Sequence, residues 1–244
     1  MATPPPAGSA GSLDLGRAFR FVFDDPEWVK KILIGGLFTL LGAVLVGVFF
    51  VAGYGIRLIR AVAAGARDPL PDWDDLGGIF GDGAKAIGVY LAHLLAVAVI
   101  PGMLFLVIMM ATGGAAALGG SSRASSALGA LMALLGFAAW GVMMLLGFCL
   151  AVYLPSAFAR LALTGRFGAA FEVGSNLAFI RRNILNYLLV LLLYFVGSFI
   201  AQFGILLCCI GIFPATFWAM CLAAWGLGET ARLDPQPQPV AAGY

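Results

Sequence analysis

The chain has 244 residues, 62% of them hydrophobic and 11% charged, with a mean hydropathy of +1.01 and a formal net charge of +2. Soluble domains carry roughly 25% charged residues, so the composition excludes a water-soluble globular protein and predicts an all-α integral membrane protein, a multi-pass helical bundle. The bases lie scattered at segment edges without a dense Lys/Arg block, which excludes nucleic acid as a partner.

Residues 1–12, with Pro4-Pro5-Pro6, lack a basic stretch leading into an apolar core and read as a disordered tail with no cleaved signal peptide. The helical membrane domain is expected over residues 13–229. Residues 230–244, where Pro235, Pro237 and Pro239 alternate with Gln, read as an extended, solvated tail.

The domain opens with Leu13 to Phe23, an amphipathic surface segment, followed by Asp24-Asp25-Pro26-Glu27-Trp28. The apolar run Ile32 to Ile56 comes next. A single tilted pass would strand Arg17, Arg20, Lys30 and Lys31 outside, whereas a bend near Gly42 puts every base except Arg123 on the cytoplasmic side. The sequence therefore favours a bent or re-entrant hairpin, with Lys30, Lys31, Arg57 and Arg60 snorkelling outward from its ends.

After this run, Arg67-Asp68-Pro69-Leu70-Pro71-Asp72-Trp73-Asp74-Asp75 concentrates four carboxylates beside a tryptophan. Pro71-Asp72-Trp73 repeats the order of Pro26-Glu27-Trp28, and each precedes an apolar stretch. A helix N-terminus has unpaired N–H groups and a positive dipole end. Asp25, Pro26 and Trp28, and again Pro71, Asp72, Trp73, Asp74 and Asp75, thus read as helix-entry motifs with the indoles at headgroup level. The competing reading is a hard-cation site formed by Asp72, Asp74 and Asp75 with Asp68 or Asp82, but the loop lacks an EF-hand's alternating carboxylates and terminal Glu.

Ile87 to Thr112 and Ala127 to Leu154 read as single spans, joined by a Gly/Ala/Ser external loop over Gly113 to Ser126. Phe167 to Arg182 is a second amphipathic surface segment, with Phe167, Phe171, Leu177, Phe179 and Ile180 as its apolar residues and Arg181 and Arg182 as candidate lipid-headgroup contacts. Ile184 to Gly228 is long enough for two spans divided near Cys209-Ile210-Gly211-Ile212-Phe213-Pro214. A surface helix, paired bases and an apolar hairpin then occur twice, which reads as an internal duplication. In all, five to six membrane segments are expected, with the basic loops and both termini on the cytoplasmic side of the cell membrane.

Chemistry-bearing residues within the apolar runs are few. His93 and Gln202 are the candidate intramembrane polar site, near Pro101, Ser198, Pro214 and Thr216. Cys149, Cys208, Cys209 and Cys221 lack His or carboxylate neighbours at metal-ligand spacing and read as small buried hydrophobes. Ala43/Gly47, Gly129/Ala133 and Gly147/Ala151 are small-residue pairs suited to close helix contact, within one chain or in self-association.

Leu15-Gly16-Arg17-Ala18-Phe19, Asp25-Pro26-Glu27-Trp28-Val29-Lys30-Lys31-Ile32-Leu33-Ile34-Gly35-Gly36, Pro69-Leu70-Pro71-Asp72-Trp73-Asp74-Asp75 and Cys209-Ile210-Gly211 together resemble the prokaryotic membrane family filed as domain of unknown function 4013. The resemblance runs over most of Asp14 to Glu229 and implies a multi-pass bundle without supplying a reaction, substrate or cofactor. Family members often carry Pro or Asn at the middle of the first run and end the last helix in His-x-x-Gly-Gln. Gly42 and Trp225-Gly226-Leu227-Gly228-Glu229 stand at those places here.

No catalytic residue, cofactor or metal ligand follows from these signals. The sequence predicts a non-enzymatic, lipid-interacting or scaffold-type membrane component whose partners are membrane lipid and either another copy or another membrane protein. A small-solute or lipid carrier is the alternative.

Overall fold

The computed structural model describes residues 11–117, 123–206 and 210–236, and among them every regular element is helical. In chain order these are α1 (Leu15–Arg20), α2 (Trp28–Leu41), α3 (Gly47–Ala63), α4 (Leu76–Ala117), α5 (Arg123–Thr164), α6 (Val173–Arg182), α7 (Ile184–Gln202) and α8 (Ile212–Arg232). Short 3-10 turns follow α2, precede α6 and follow α7. The chain divides into two compact units, residues 1–89 with 155–244 and residues 90–154, so that α4 and α5 each contribute one end to each unit.

In the first unit α8 is the central helix. It packs on α2, α3 and α7, and Phe217, Cys221, Leu222 and Trp225 are buried along it. Glycines set how closely its neighbours approach. A Cβ on Gly35 would collide with the Phe217 ring, and one on Gly228 would press on α3 at Ile59 and Val62. Gly53 of α3 and Gly83 of α4 face each other even more closely, each lying against the other helix's backbone carbonyl, Ile79 and Phe49 respectively. Small residues permit this crossing because no side chain separates the two backbones.

The first apolar run is broken where the sequence places a bend. α2 ends at Leu41, Gly42–Val44 forms a 3-10 turn, and Leu45 takes a left-handed conformation with φ of 66°. Were α2 and α3 continuous, Lys31 and Arg57 would stand about 39 Å apart at 1.5 Å per residue. They instead reach Asp72 and Asp75, three positions apart, so the chain folds back on itself. Phe38 stacks on Phe50 across the two helices at 4.4 Å. With 14 and 17 residues, neither helix alone matches the about twenty that cross a bilayer core.

By length and composition two helices qualify as membrane spans, Gly129–Thr164 and Ile184–Leu206. The pair Leu76–Val97 and Pro101–Met110, inclined by 51°, makes a third if taken as one broken span. Pro101 accounts for the break, since it removes a backbone donor and crowds the preceding turn. The five to six segments read from the sequence are not reached by this measure. α7 shows what makes a span: Leu185, Leu188, Leu192, Phe195 and Phe199 form an exposed apolar stripe, while Tyr187, Val190, Leu193, Gly197 and Ala201 are buried behind it. A helix apolar on both faces is suited to the core of a larger assembly or to a membrane span.

Several sequence expectations are corrected here. The connector expected over Gly113 to Ser126 shrinks, because α4 runs to Ala117 and α5 starts at Arg123. The solvated tail expected over residues 230–244 starts later, since α8 runs to Arg232 and Asp234 is buried against Arg182. At the other end Gly11 and Leu13 are bound by the amide of Asn186. Cys221 is buried but Cys149 is exposed on α5. Cys208, Cys209, residues 1–10 and residues 237–244 lie outside the described residues. Gly129 and Gly147 meet nothing within 4 Å, whereas Gly47 lies against the Phe38 carbonyl inside the hairpin. The proposed duplication keeps its element order, α1-α2-α3 and α6-α7-α8, but residues 21–27 link the first pair where Asn183 alone links the second.

The α3/α4 crossing yields a stability test. Gly53→Ala and Gly83→Ala place a methyl group inside a facing carbonyl and should each lower stability by at least about 1–3 kcal/mol in detergent-solubilised unfolding measurements. Gly174→Ala, a helical position with open space, should leave stability unchanged or raise it.

Candidate functional site

Every Asp, Glu, Lys and Arg except Arg123 lies within residues 13–31, 57–85, 160–182 or 229–234. The fold joins these four segments into one charged belt within the first unit. Lys31 links the first to the second through Asp72. Arg60 links the second to the third through the Ala162 carbonyl at 3.0 Å, and Arg182 links the third to the fourth through a two-pronged contact with Asp234. Phe21 stacks on Trp225 at 5.5 Å, which brings the first segment to the α8 turn just before the fourth.

At the centre of the belt Lys31 uses all three of its donors. Its Nζ donates to Asp25 Oδ2 at 2.7 Å, to Asp72 Oδ1 at 2.9 Å and to the Leu70 carbonyl at 3.0 Å. Asp25 and Lys31 are both buried, while Asp72 is 65% exposed. Burial alone pulls the Lys31 pKa down, but the hydrogen bonds it donates to Asp25 and Asp72 outweigh it and hold the ammonium above its ordinary value. Asp25 also accepts from the Glu27 backbone N–H at 2.8 Å, which fixes the approach to α2.

Trp73 closes the clamp. Its Nε1 donates to the Lys31 carbonyl at 3.1 Å, and its ring packs against Tyr54 and Phe38 at centroid distances of 4.6 and 4.9 Å, with Phe217 of α8 at 5.8 Å. At 9% exposure Trp73 is a core residue of the hairpin, which corrects the expectation of an indole at headgroup level. Trp28 is half-buried against Phe23.

The two helix-entry motifs diverge. Asp75 Oδ1 accepts from the Gly78 N–H at 2.9 Å in the first turn of α4, a side-chain cap. Its other oxygen accepts from Arg57 at 2.7 Å. The Arg57 guanidinium foremost, and then the Gly78 N–H, hold the Asp75 carboxyl below the usual carboxylate range. Glu27, preceding α2, makes no such cap. Asp82 gathers Arg57, Arg60 and Lys85. Asp72 and Asp75 thus turn to different cations of the chain. Among the described residues no group of three His, Cys, Asp or Glu converges as metal ligands would. Pro26 and Asp74 are exposed and Pro71 is half-buried beside the clamp.

The other candidates separate likewise. Lys31 and Arg60 turn into the protein, which corrects the expectation that they snorkel outward. Arg182 is engaged by Asp234, so of the two candidate headgroup contacts Arg181 alone is exposed. Arg160 and Arg166, not singled out in the sequence, share Glu172 at the start of α6. In α6 Phe179 and Ile180 are buried and Leu177 is exposed, as are Phe167 and Phe171 in the 3-10 turn before it. In the second unit His93 is half-buried with its ring 5.3 Å from Tyr153. Gln202 is exposed at the end of α7 in the first unit.

The model of a family described as Protein of unknown function (DUF4013) matches residues 36–210. That range lies inside the stretch over which the sequence motifs carried the resemblance. No curated protein and no solved structure matches the chain significantly.

The clamp makes an asymmetric prediction. Lys31→Met leaves Asp25 buried without a counter-charge and should cost about 3–5 kcal/mol in detergent-solubilised unfolding, with the double variant Asp25→Asn/Lys31→Met recovering most of it. Asp72→Asn removes a largely exposed partner and should cost at most about 1 kcal/mol.

A second prediction concerns pH. Asp75 is held ionised in the fold, so its contribution is present above the ordinary carboxylate pKa and is lost as pH falls through the lowered folded value. The stability gap between the native chain and Asp75→Asn should therefore be constant near neutrality and shrink in acid. A gap independent of pH would show that the charge contributes nothing.

Proposed function

We propose, from the premise that the chain belongs to the DUF4013 family of proteins of unknown function, that it is a non-enzymatic, lipid-interacting integral component of the cytoplasmic membrane. The belt faces the cytoplasm. The observation that carries this reading is the partition of charge: residues 32–56, 86–159 and 183–228 hold only Arg123 among them, and each of these stretches leaves the belt and returns to it. An apolar excursion that begins and ends at one charged layer fits a bilayer contacted from one side. On this reading α2/α3 is a short re-entrant hairpin, α4/α5 and α7/α8 are full hairpins, and both ends of the chain lie with the belt. The exposed stripes of α5 (Leu131, Leu134, Phe137, Met144, Phe148) and α7 then contact acyl chains.

A carrier is the second reading. It is favoured by the 51° bend of α4 at Pro101 with half-buried His93 two turns before it, a combination seen where transporter helices break around a site.

Two measurements test these readings. In a cysteine-less background, Ser12→Cys and Asp74→Cys should label from the cytoplasmic side and Ser122→Cys from the opposite side, and the membrane fraction should resist alkaline carbonate extraction. Labelling of Ser12→Cys and Asp74→Cys from opposite faces would sink the re-entrant arrangement. Solute flux in reconstituted vesicles that disappears in His93→Ala would replace the non-transporting reading with the carrier.

A further inference from the structure

Between α1, the end of α3 and the last turns of α8 lies an open cleft of about 70 Å³. Its position follows from local sequence. α3 ends in a Schellman-type turn in which the Gly65 N–H bonds the Val62 carbonyl and the Ala66 N–H bonds the Ala61 carbonyl. Gly65 has φ of 75°, the left-handed conformation that glycine adopts without strain. The turn brings Arg67 and Asp68 to the lining of the cleft, together with Arg17 of α1 and Glu229 and Arg232 of α8. Phe21 and Trp225, stacked at 5.5 Å, give it an apolar wall.

The charges in the cleft are of both signs. Arg232 is neutralised by Glu229, and Asp25 is neutralised by Lys31. That leaves Arg17, Arg67, Asp24 and Asp68, all exposed and none with an ion pair among the described residues. Two guanidinium groups and two carboxylates around one small opening do not select a simple anion or a simple cation, because each would meet repulsion from half of the wall. A ligand that carries both charges a few bonds apart meets none. Guanidinium groups pair with phosphate oxygens through parallel N–H donors, and a primary ammonium offers three donors to carboxylates. The C-terminal ends of α3 and α8 both border the cleft, and their negative dipole ends add to the cationic half of the preference.

We propose that this cleft binds a phosphoester bearing a primary ammonium group, with Arg17 and Arg67 on the phosphate and Asp24 and Asp68 on the ammonium. The ligand chemistry is that of a phosphoethanolamine headgroup or of the free zwitterion. The inference rests on the membrane-embedded, lipid-interacting reading above only for the headgroup source, since the belt then lies at the depth of lipid phosphates.

The test uses the full-length protein in nanodiscs containing equal fractions of phosphatidylethanolamine, phosphatidylglycerol and phosphatidylcholine, with retained lipid read by native mass spectrometry. In parallel, detergent-solubilised protein is dialysed against O-phosphoethanolamine, inorganic phosphate or ethanolamine. Retention of phosphatidylethanolamine over both other lipids by about tenfold is expected, the size of one lost charge-assisted hydrogen bond. Arg17→Gln/Arg67→Gln and Asp24→Asn/Asp68→Asn should each bring that ratio close to one. Because the four side chains are exposed, their unfolding midpoints should stay near that of the native chain, which separates lost binding from lost fold. Selective binding of O-phosphoethanolamine without lipid selection supports the site and assigns it a soluble ligand. Equal retention of phosphatidylglycerol or phosphatidylcholine, or equal binding of inorganic phosphate, with no selection in the other arm, overturns the proposal. Carbonate extraction reports on membrane embedding separately, so a chain that stays in the membrane yet shows no ammonium-phosphoester selection fails this inference and leaves the broader reading standing.

Discussion

The contact on which the first unit depends is the Lys31 ammonium held between Asp25, Asp72 and the Leu70 carbonyl. It ties together the approach to α2, the start of α2 and the connector that follows α3, and so fixes the hairpin's two ends against each other. Trp73 follows from it by one residue. Its side chain enters the space between Phe38, Tyr54 and Phe217, which is also where α8 meets the hairpin. A buried ion pair of this kind adds little net stability over an apolar substitute, because desolvation cancels most of the attraction. Its effect is selective: other registers of the connector leave Asp25 or Lys31 buried without a partner, and those are penalised by several kcal/mol, as is typical of isolated buried charges.

The same logic extends around the belt. Arg60, Arg160 and Asp234 are buried charged residues, and each is held by a group from a distant part of the chain or from a neighbouring turn. Each apolar excursion begins and ends next to an ion-paired residue, Lys31 and Arg57, Lys85 and Arg160, Arg182 and Glu229. On the membrane-embedded reading proposed above, the belt does for this chain what hydrophobic burial does for a soluble domain, because in a nonpolar solvent apolar contact between helices carries no transfer free energy and packing together with polar pairing decides which helices meet. The glycine contacts of α3 with α4 and of α8 with α2 supply the packing, and the belt supplies the pairing.

How much of this the sequence discloses depends on the range of the signal. The apolar runs, the break near Gly42, the division before Pro214 and the amphipathic character of the segments before α2 and α7 are local patterns of polarity and period, and they are readable from neighbouring residues alone. Asp75 as a helix cap was equally legible, because its partner is three residues away. Trp73 was misread because a Pro-Asp-Trp-Asp string looks alike whether its indole faces lipid headgroups or a hydrophobic pocket built by residues 38, 54 and 217. Arg182 was misread for the same reason, since Asp234 lies 52 positions away. The close crossing at Gly53 and Gly83 carried no sequence signal beyond two glycines among thirty-three. Cys149 follows a different cause: α5 is apolar on every face, so composition alone does not say which of its residues are exposed.

The acidic connector shows how fold and function divide the same residue type. Asp72 and Asp75 each bind a cation of the chain, and Asp25 and Asp82 are more deeply enclosed still, so all four are committed to structure. Asp24 and Asp68 carry the same chemistry but are exposed and have no such partner among the described residues. A carboxylate already compensated by a buried ammonium offers a ligand little, because any new bond must first displace a good one. A free carboxylate beside a free guanidinium has no such cost to overcome. On the proposed reading the connector's recognition residues are therefore Arg67 and Asp68 at its edge, while Asp72 and Asp75 in the Asp-Trp-Asp-Asp centre are spent on cations of the chain.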